Sequence, residues 1–170
     1  MNTLALFVVA VNPAAVAASV PRAALSRPRA QVAFITTAVT VALLAGCSGP
    51  LLDWLDVSPP TFRVAAGVVL GLTSARWVLL GAKPITTVDE VPIFTILLSP
   101  GLVAVAITAG TEVGAASAAA GGVVALVASG AAVYWQGHLG PAVWSWATRL
   151  VGVAGIAVAV ALVVDGVKTV

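Results

Sequence analysis

Charge is the scarcest thing in this sequence: Lys, Arg, Asp and Glu make up 8% of its 170 residues, against about 25% in an average soluble domain. Cysteine occurs once, at Cys47, which excludes an internal disulfide, a paired-thiol redox centre and a thiolate metal site. Histidine also occurs once, at His138 in QGHLGP, with no second ligand at metal spacing, so neither a metal centre nor a catalytic base is expected there. The chain lacks paired carboxylates, a nucleophile beside a base, and a phosphate loop; no enzyme and no cofactor are expected. The net charge of +2 comes from so few groups that a sequence pI of about 9.2 gives no reason to expect nucleic acid as a partner.

What is there is apolar. Hydrophobic residues make up 61% of the chain and the mean hydropathy is +1.12. No stretch is long and polar enough for a soluble domain, so residues 1–170 read as a single transmembrane domain whose first partner is the lipid bilayer. With about 20 apolar residues needed to cross the hydrocarbon, six spans are expected: Leu4 to Val20, Val32 to Leu52, Val64 to Gly81, Ile93 to Gly110, Val113 to Trp135 and Leu150 to Val164. The fifth contains GAASAAAGG, a small-residue run suited to close helix packing, and is expected at the centre of the bundle. LLAGCSG, Leu43 to Gly49, mimics a lipoprotein cleavage box, but cleavage there would discard a full span; it reads as a small-residue stretch of span two.

The loops separate by charge. Loop one carries Arg22, Arg27 and Arg29, loop three has Lys83 near Arg76 against Asp89 and Glu90, and loop five ends at Arg149. Loop two has Asp53 and Asp56 with Arg63, and loop four only Glu112. The positive-inside rule then puts loops one, three and five in the cytoplasm and both termini outside a cell membrane. Trp54, Trp77, Tyr134, Trp135, Trp144 and Trp146 fall at or near span ends, where amphipathic rings settle at headgroup level.

Two of the spans are interrupted in the same way. VVAVNPAAVAASV in span one and TILLSPGLVAVAI in span four place Pro13 and Pro100 87 positions apart, about half the chain. FRVAAGVVL in span three and TRLVGVAGI in span six likewise pair Arg63 with Arg149. The chain therefore reads as two repeats, about 1–83 and 91–170; with three spans in each, the second enters the membrane from the opposite side. Proline has no amide hydrogen and clashes with the carbonyl four residues back, so each span should split there. Asn12 and Ser99 are good N-caps, and proline is favoured at the first helical position, so each motif reads as the start of a new helix. Two such starts opposed at mid-membrane expose amides and positive dipole ends able to hold a carboxylate, which makes Asn12, Pro13, Ala14 and Ala15 with Ser99, Pro100, Gly101 and Leu102 the candidate solute site. The bland alternative is a pair of kinks healed by water and neighbouring hydroxyls.

NPAAVAASVP, PIFTILLSPGLVAVAI, FRVAAGVVL and TRLVGVAGIAVAVALVVDGV resemble, in the same order, segments of the MarC-like membrane proteins of the LysE exporter superfamily. The resemblance implies six spans in two three-helix repeats and transport of a small solute such as a neutral amino acid, driven by a proton or sodium gradient. It also falls on Arg149 and Asp165. Departures are visible: Val16, Ala17 and Ala18 stand where members place a second proline, and Ser99 replaces a glycine before Pro100.

Glu112 and Asp165, near the outer ends of spans four and six, are candidates for coupling or gating together with Arg149. Thr36, Thr37 and Thr40 are expected to bond back to their own helix, and Arg76 to snorkel to the interface. A homo-oligomer is one open arrangement. A non-transporting subunit of a larger membrane complex is the rival to the carrier.

Overall fold

The computed structural model describes residues 2–20, 27–82 and 97–169, and every regular element among them is a helix. In chain order these are α1 (Thr3–Val11), α2 (Pro13–Ser19), α3 (Arg27–Gly46), α4 (Ser48–Trp54), α5 (Pro59–Leu80), α6 (Pro100–Val113), α7 (Ala115–Trp135) and α8 (Pro141–Thr169). Four are long and apolar enough to cross a membrane: α3 from Pro28, α5, α7 and α8. The α1–α2 segment and α6 are apolar but shorter. The part of span four before Leu97, with Lys83, Asp89 and Glu90, lies outside the described residues, as does Arg22.

The outer surface identifies the solvent. Val32, Ile35, Val39 and Leu43, spaced by three and four along one face of α3, are all more than half exposed, and Leu72, Leu79, Val127, Leu150 and Val160 continue the apolar surface on α5, α7 and α8. In water such a surface would aggregate; in lipid tails it is solvated, and the chain is a helical membrane protein. Trp54, Tyr134, Trp135 and Trp146 are exposed near helix ends.

The two broken elements occupy the middle. In α6, eight of fourteen residues are buried, from Gly101 and Leu102 through Ala104–Ala109, and in α1–α2 burial covers Phe7, Val9, Ala10, Val11 and Ala14 to Ala17. The small-residue helix α7 packs on α1, α2, α3 and α6, yet Val123, Val124 and Val127 leave its other face open. It lies beside the centre rather than in it. Its Gly121 and Gly122 lack the Cβ atoms that would strike the Phe7 ring and Val41, so they let α1 settle inward against α7.

The closest helix pair is α5 with α8, antiparallel. On α8 the buried positions Thr148, Gly152, Gly155, Ala159, Leu162 and Gly166 alternate by four and three, the spacing of a coiled-coil seam. A Cβ on Gly67 would stand 2.9 Å from the Ala159 carbonyl oxygen, and one on Gly166 3.0 Å from that of Pro60, so small residues let the two backbones touch. α8 begins nine residues before the span expected from apolar count, because nothing between Pro141 and Leu150 breaks a helix; at 29 residues it is about 43 Å long and passes beyond the hydrocarbon.

Gly67→Val should force α5 and α8 apart and lower stability by about 1–3 kcal/mol, read as a lower melting temperature in detergent. Gly46→Val, whose Cβ meets nothing within 4 Å, should change it far less.

Candidate functional site

The chain breaks at Asn12 for local reasons. Pro13 cannot donate to the Val9 carbonyl, and Asn12 takes up a left-handed conformation at φ 49° and ψ 78°, which asparagine tolerates better than most residues. It closes one helix and opens the next. Its amide donates to the Val8 carbonyl at 3.0 Å, ending α1; its carbonyl accepts from Val16 at 3.1 Å and its Oδ1 from the Ala15 amide at 3.0 Å, starting α2. The side chain is fully buried, and its Nδ2 donates to the Thr148 carbonyl of α8 at 3.2 Å.

Ser99 does the corresponding work for α6. Its Oγ accepts from the Leu102 amide at 3.1 Å and donates to the Ala10 carbonyl at 3.0 Å. In an unbroken helix that carbonyl would be bonded to the amide of Ala14, so the cap of the second break takes up an acceptor orphaned by the first. The structure thus brings Asn12 and Ser99 to one junction, with Ala14, Ala15, Gly101 and Leu102 buried around it, Pro13 part-buried and Pro100 exposed. With caps on the third amide of each start and proline at the first, the second amides, Ala14 and Gly101, are the donors that neither cap nor helix ladder takes. A Cβ on Gly101 would lie 3.3 Å from the Leu70 side chain and 3.6 Å from Thr73 Oγ1, so the start of α6 packs closely on α5 at a residue with no side chain.

Two further hydroxyls belong to this neighbourhood. Ser74 on α5 and Thr148 on α8 are fully buried, and neither Oγ nor Oγ1 has a hydrogen-bond partner. Ser74 packs directly over Gly155 beside Val9, while Thr148 is the residue whose carbonyl Asn12 holds. Most other hydroxyls in the bundle bond back to their own helix, as Thr37 does to Ala33, Thr40 to Thr36 and Thr73 to Val69, each at 2.8 Å. A buried polar atom left unpaired costs about 1–3 kcal/mol, so Ser74 and Thr148 mark a place where the fold forgoes stability. Their signal in the sequence is the seam itself: Thr148 starts the four–three spacing on α8, and Ser74 is the polar position of the matching stripe on α5.

The coupling candidates separate. Glu112 and Asp165 meet at the end of the bundle formed by the start of α5 and the ends of α6 and α8, and the group that joins them is Arg63. Arg63 Nε lies 2.6 Å from Glu112 Oε1, off line for a straight hydrogen bond, and its Nη1 donates to Asp165 Oδ2. Side-chain exposures of 17%, 25% and 66% run from arginine to aspartate, so the cation is the most enclosed member. Arg149 is at the opposite end, exposed, with its guanidinium 6.0 Å from the Trp146 ring. Arg76, also exposed, shares that end, and His138 there stacks edge-on to Trp135.

No protein-family model, no curated protein and no solved structure matches the chain.

Ser99→Ala should lower stability by about 1–3 kcal/mol, because it leaves the Ala10 carbonyl and the Leu102 amide unpaired; Ser99→Thr should recover most of the loss. Asn12→Ala should melt below Asn12→Gly, the difference of about 1 kcal/mol reporting the left-handed backbone. At the other site, a double-mutant cycle on Arg63→Gln and Glu112→Gln should give a coupling of about 0.5–1 kcal/mol that shrinks with added salt.

Proposed function

We propose that the chain is a six-span carrier of a small solute bearing a carboxylate, a neutral amino acid being the class that fits best, and that it works by alternating access. The observation that carries the reading is the Ser99–Ala10 bond: the cap that opens α6 donates to the last turn of α1, beside the break from which α2 starts. Each start presents a positive dipole end of roughly half a charge, and Ala14 and Gly101 retain an amide for an anionic group. A solute carboxylate would take these donors as the starts separate. The resemblance to MarC-like proteins agrees in both motif and order.

The packing supports two inverted three-helix repeats, α1–α2, α3 and α5 against α6, α7 and α8. Exchanging the halves maps some neighbours onto neighbours: α1–α2 on α7 becomes α6 on α3, and α1–α2 on α8 becomes α6 on α5, while α6 on α7 has no such counterpart in α1–α2 on α3. The equivalent elements α3 and α7, α5 and α8, and α1 and α6 also touch one another, an arrangement compatible with a two-fold axis in the membrane plane. The described charges favour a cell-membrane orientation with the Arg29, Arg76 and Arg149 end in the cytoplasm; the other end holds Asp53, Asp56, Glu112 and Asp165 with Arg63 and Lys168. In that orientation Arg63 with Glu112 and Asp165 closes the outer end.

A second reading, a non-transporting subunit of a larger complex, draws on the same junction, since Asn12 and Ser99 are held by protein groups as a structural joint would be. Proteoliposome flux of a panel of radiolabelled neutral amino acids separates them. The carrier predicts uptake that falls at least tenfold in the Asn12→Gly, Ser99→Ala double variant while the protein stays monodisperse. Undiminished flux in that variant would refute the site; no flux in the unmodified chain, with stable co-purification of one large assembly, would establish the subunit.

A further inference from the structure

Apart from ion-paired Arg63, the buried side-chain atoms without a hydrogen bond among the described residues are four: Gln136 Oε1, Trp144 Nε1, Thr148 Oγ1 and Ser74 Oγ. They are not scattered. Gln136 and Trp144 line a cleft of about 290 Å³ at the Arg149 end, between the end of α2 at Ala17 and the turn joining α7 to α8 at Leu139. Thr148 is one turn further along α8 on the same face as Trp144, about 6 Å deeper. Ser74 sits over Gly155, two turns beyond Thr148, with Gly152 between them. The Asn12 break lies against this line, through its bond to the Thr148 carbonyl.

Chance would place unpaired groups on different faces and at both ends. Here they form one file from a cleft mouth to the bundle interior, and a group of this kind is normally paired with protein or with ordered water. The chemistry is mixed: the Gln136 oxygen accepts, the Trp144 indole donates, and the two hydroxyls do both. No carboxylate or cation stands in the file itself. We infer that this file is a hydrated polar track that opens at the Arg149 end and leads a small solute carrying both donors and acceptors to the Asn12–Ser99 junction; the solute's part in it rests on the carrier reading above. Between Thr148 and Ser74 the glycines at 152 and 155 let α5 pack directly on α8, since a Cβ there would strike Val78 and the Ser74 side chain. The opposite end has no counterpart among the described residues: the buried side-chain atom without a hydrogen bond there is Arg63 Nε, which is in contact with Glu112.

The track is tested by thiol accessibility in a Cys47→Ser background, Cys47 being an exposed free cysteine. Thr148→Cys, Ser74→Cys and the control Ala159→Cys, a buried seam position beyond the track, are reconstituted in one orientation and treated with a small hydrophilic methanethiosulfonate. Reagent on the Arg149 side should modify the first two at least tenfold faster than Ala159→Cys, and reagent on the Arg63 side should not. Rates equal to the Ala159→Cys control, or modification from the Arg63 side, would overturn the track. If a cysteine variant fails to fold, hydroxyl-radical footprinting of the unmodified chain decides the matter, because radicals form from bound water: oxidation at Trp144 and Thr148 with none at Leu162 supports the track, and the reverse removes it. Labelling without flux of any solute upholds the track and overturns the carrier; flux without labelling overturns the track alone.

Discussion

One hydroxyl holds the middle of this protein together. Breaking a helix inside a membrane leaves carbonyls and amides that lipid cannot solvate, and each must find a partner within the protein. Ser99 supplies one for each break: it accepts from the first turn of α6 and donates to the Ala10 carbonyl released by the Asn12 break. Because the donor for the Ala10 carbonyl belongs to the cap of the other break, the Asn12 break is not satisfied in isolation. The two interrupted elements therefore have to be neighbours, and once they are, α3, α5, α7 and α8 are left to surround them and to present their apolar faces to lipid.

The seam between α5 and α8 sets how tightly that ring closes. Its glycines bring two backbones into contact over most of their length, and dispersion at such short range substitutes for the hydrophobic drive that lipid does not provide. The same closeness carries the polar exceptions. Ser74 and Thr148 lie on the seam, where a helix with larger residues would have pushed them into lipid or turned them back onto their own carbonyls. Close packing and unpaired hydroxyls are thus two aspects of one arrangement.

Some of this was legible in the sequence, and the dividing line is locality. Capping is decided by three or four consecutive residues, so Asn12-Pro13 and Ser99-Pro100 announced helix starts that the structure contains. Yet Ser58-Pro59 opens α5 by the same chemistry, with Ser58 bonded to Thr61 at an exposed surface; the dipeptide says where a helix begins and not how deep it lies. The Glu112 and Asp165 carboxylates stood out as rare charges, but the cation they share, Arg63, did not, because the pairing depends on how helices far apart in sequence are stacked. Thr148 carries no mark in its own surroundings, since what gives it interest is the company of Asn12, 136 positions away. Small-residue content placed α7 against its neighbours but not at the centre, which went to the short elements with the fewest exposed faces.

The sequence distances spanned by these polar contacts bear on how the protein is made. Ser99 must find Ala10 across 89 positions, Asp165 must find Arg63 across 102, and Thr148 must find Asn12 across 136. During synthesis the first broken segment and the start of α5 reach the membrane well before any of those partners exist. Asn12 and Arg63 then wait as a free amide and a free cation, held near water or by whatever insertion machinery shields them. These three contacts can form only once the second half of the chain has been made, and contacts so distant in sequence slow folding.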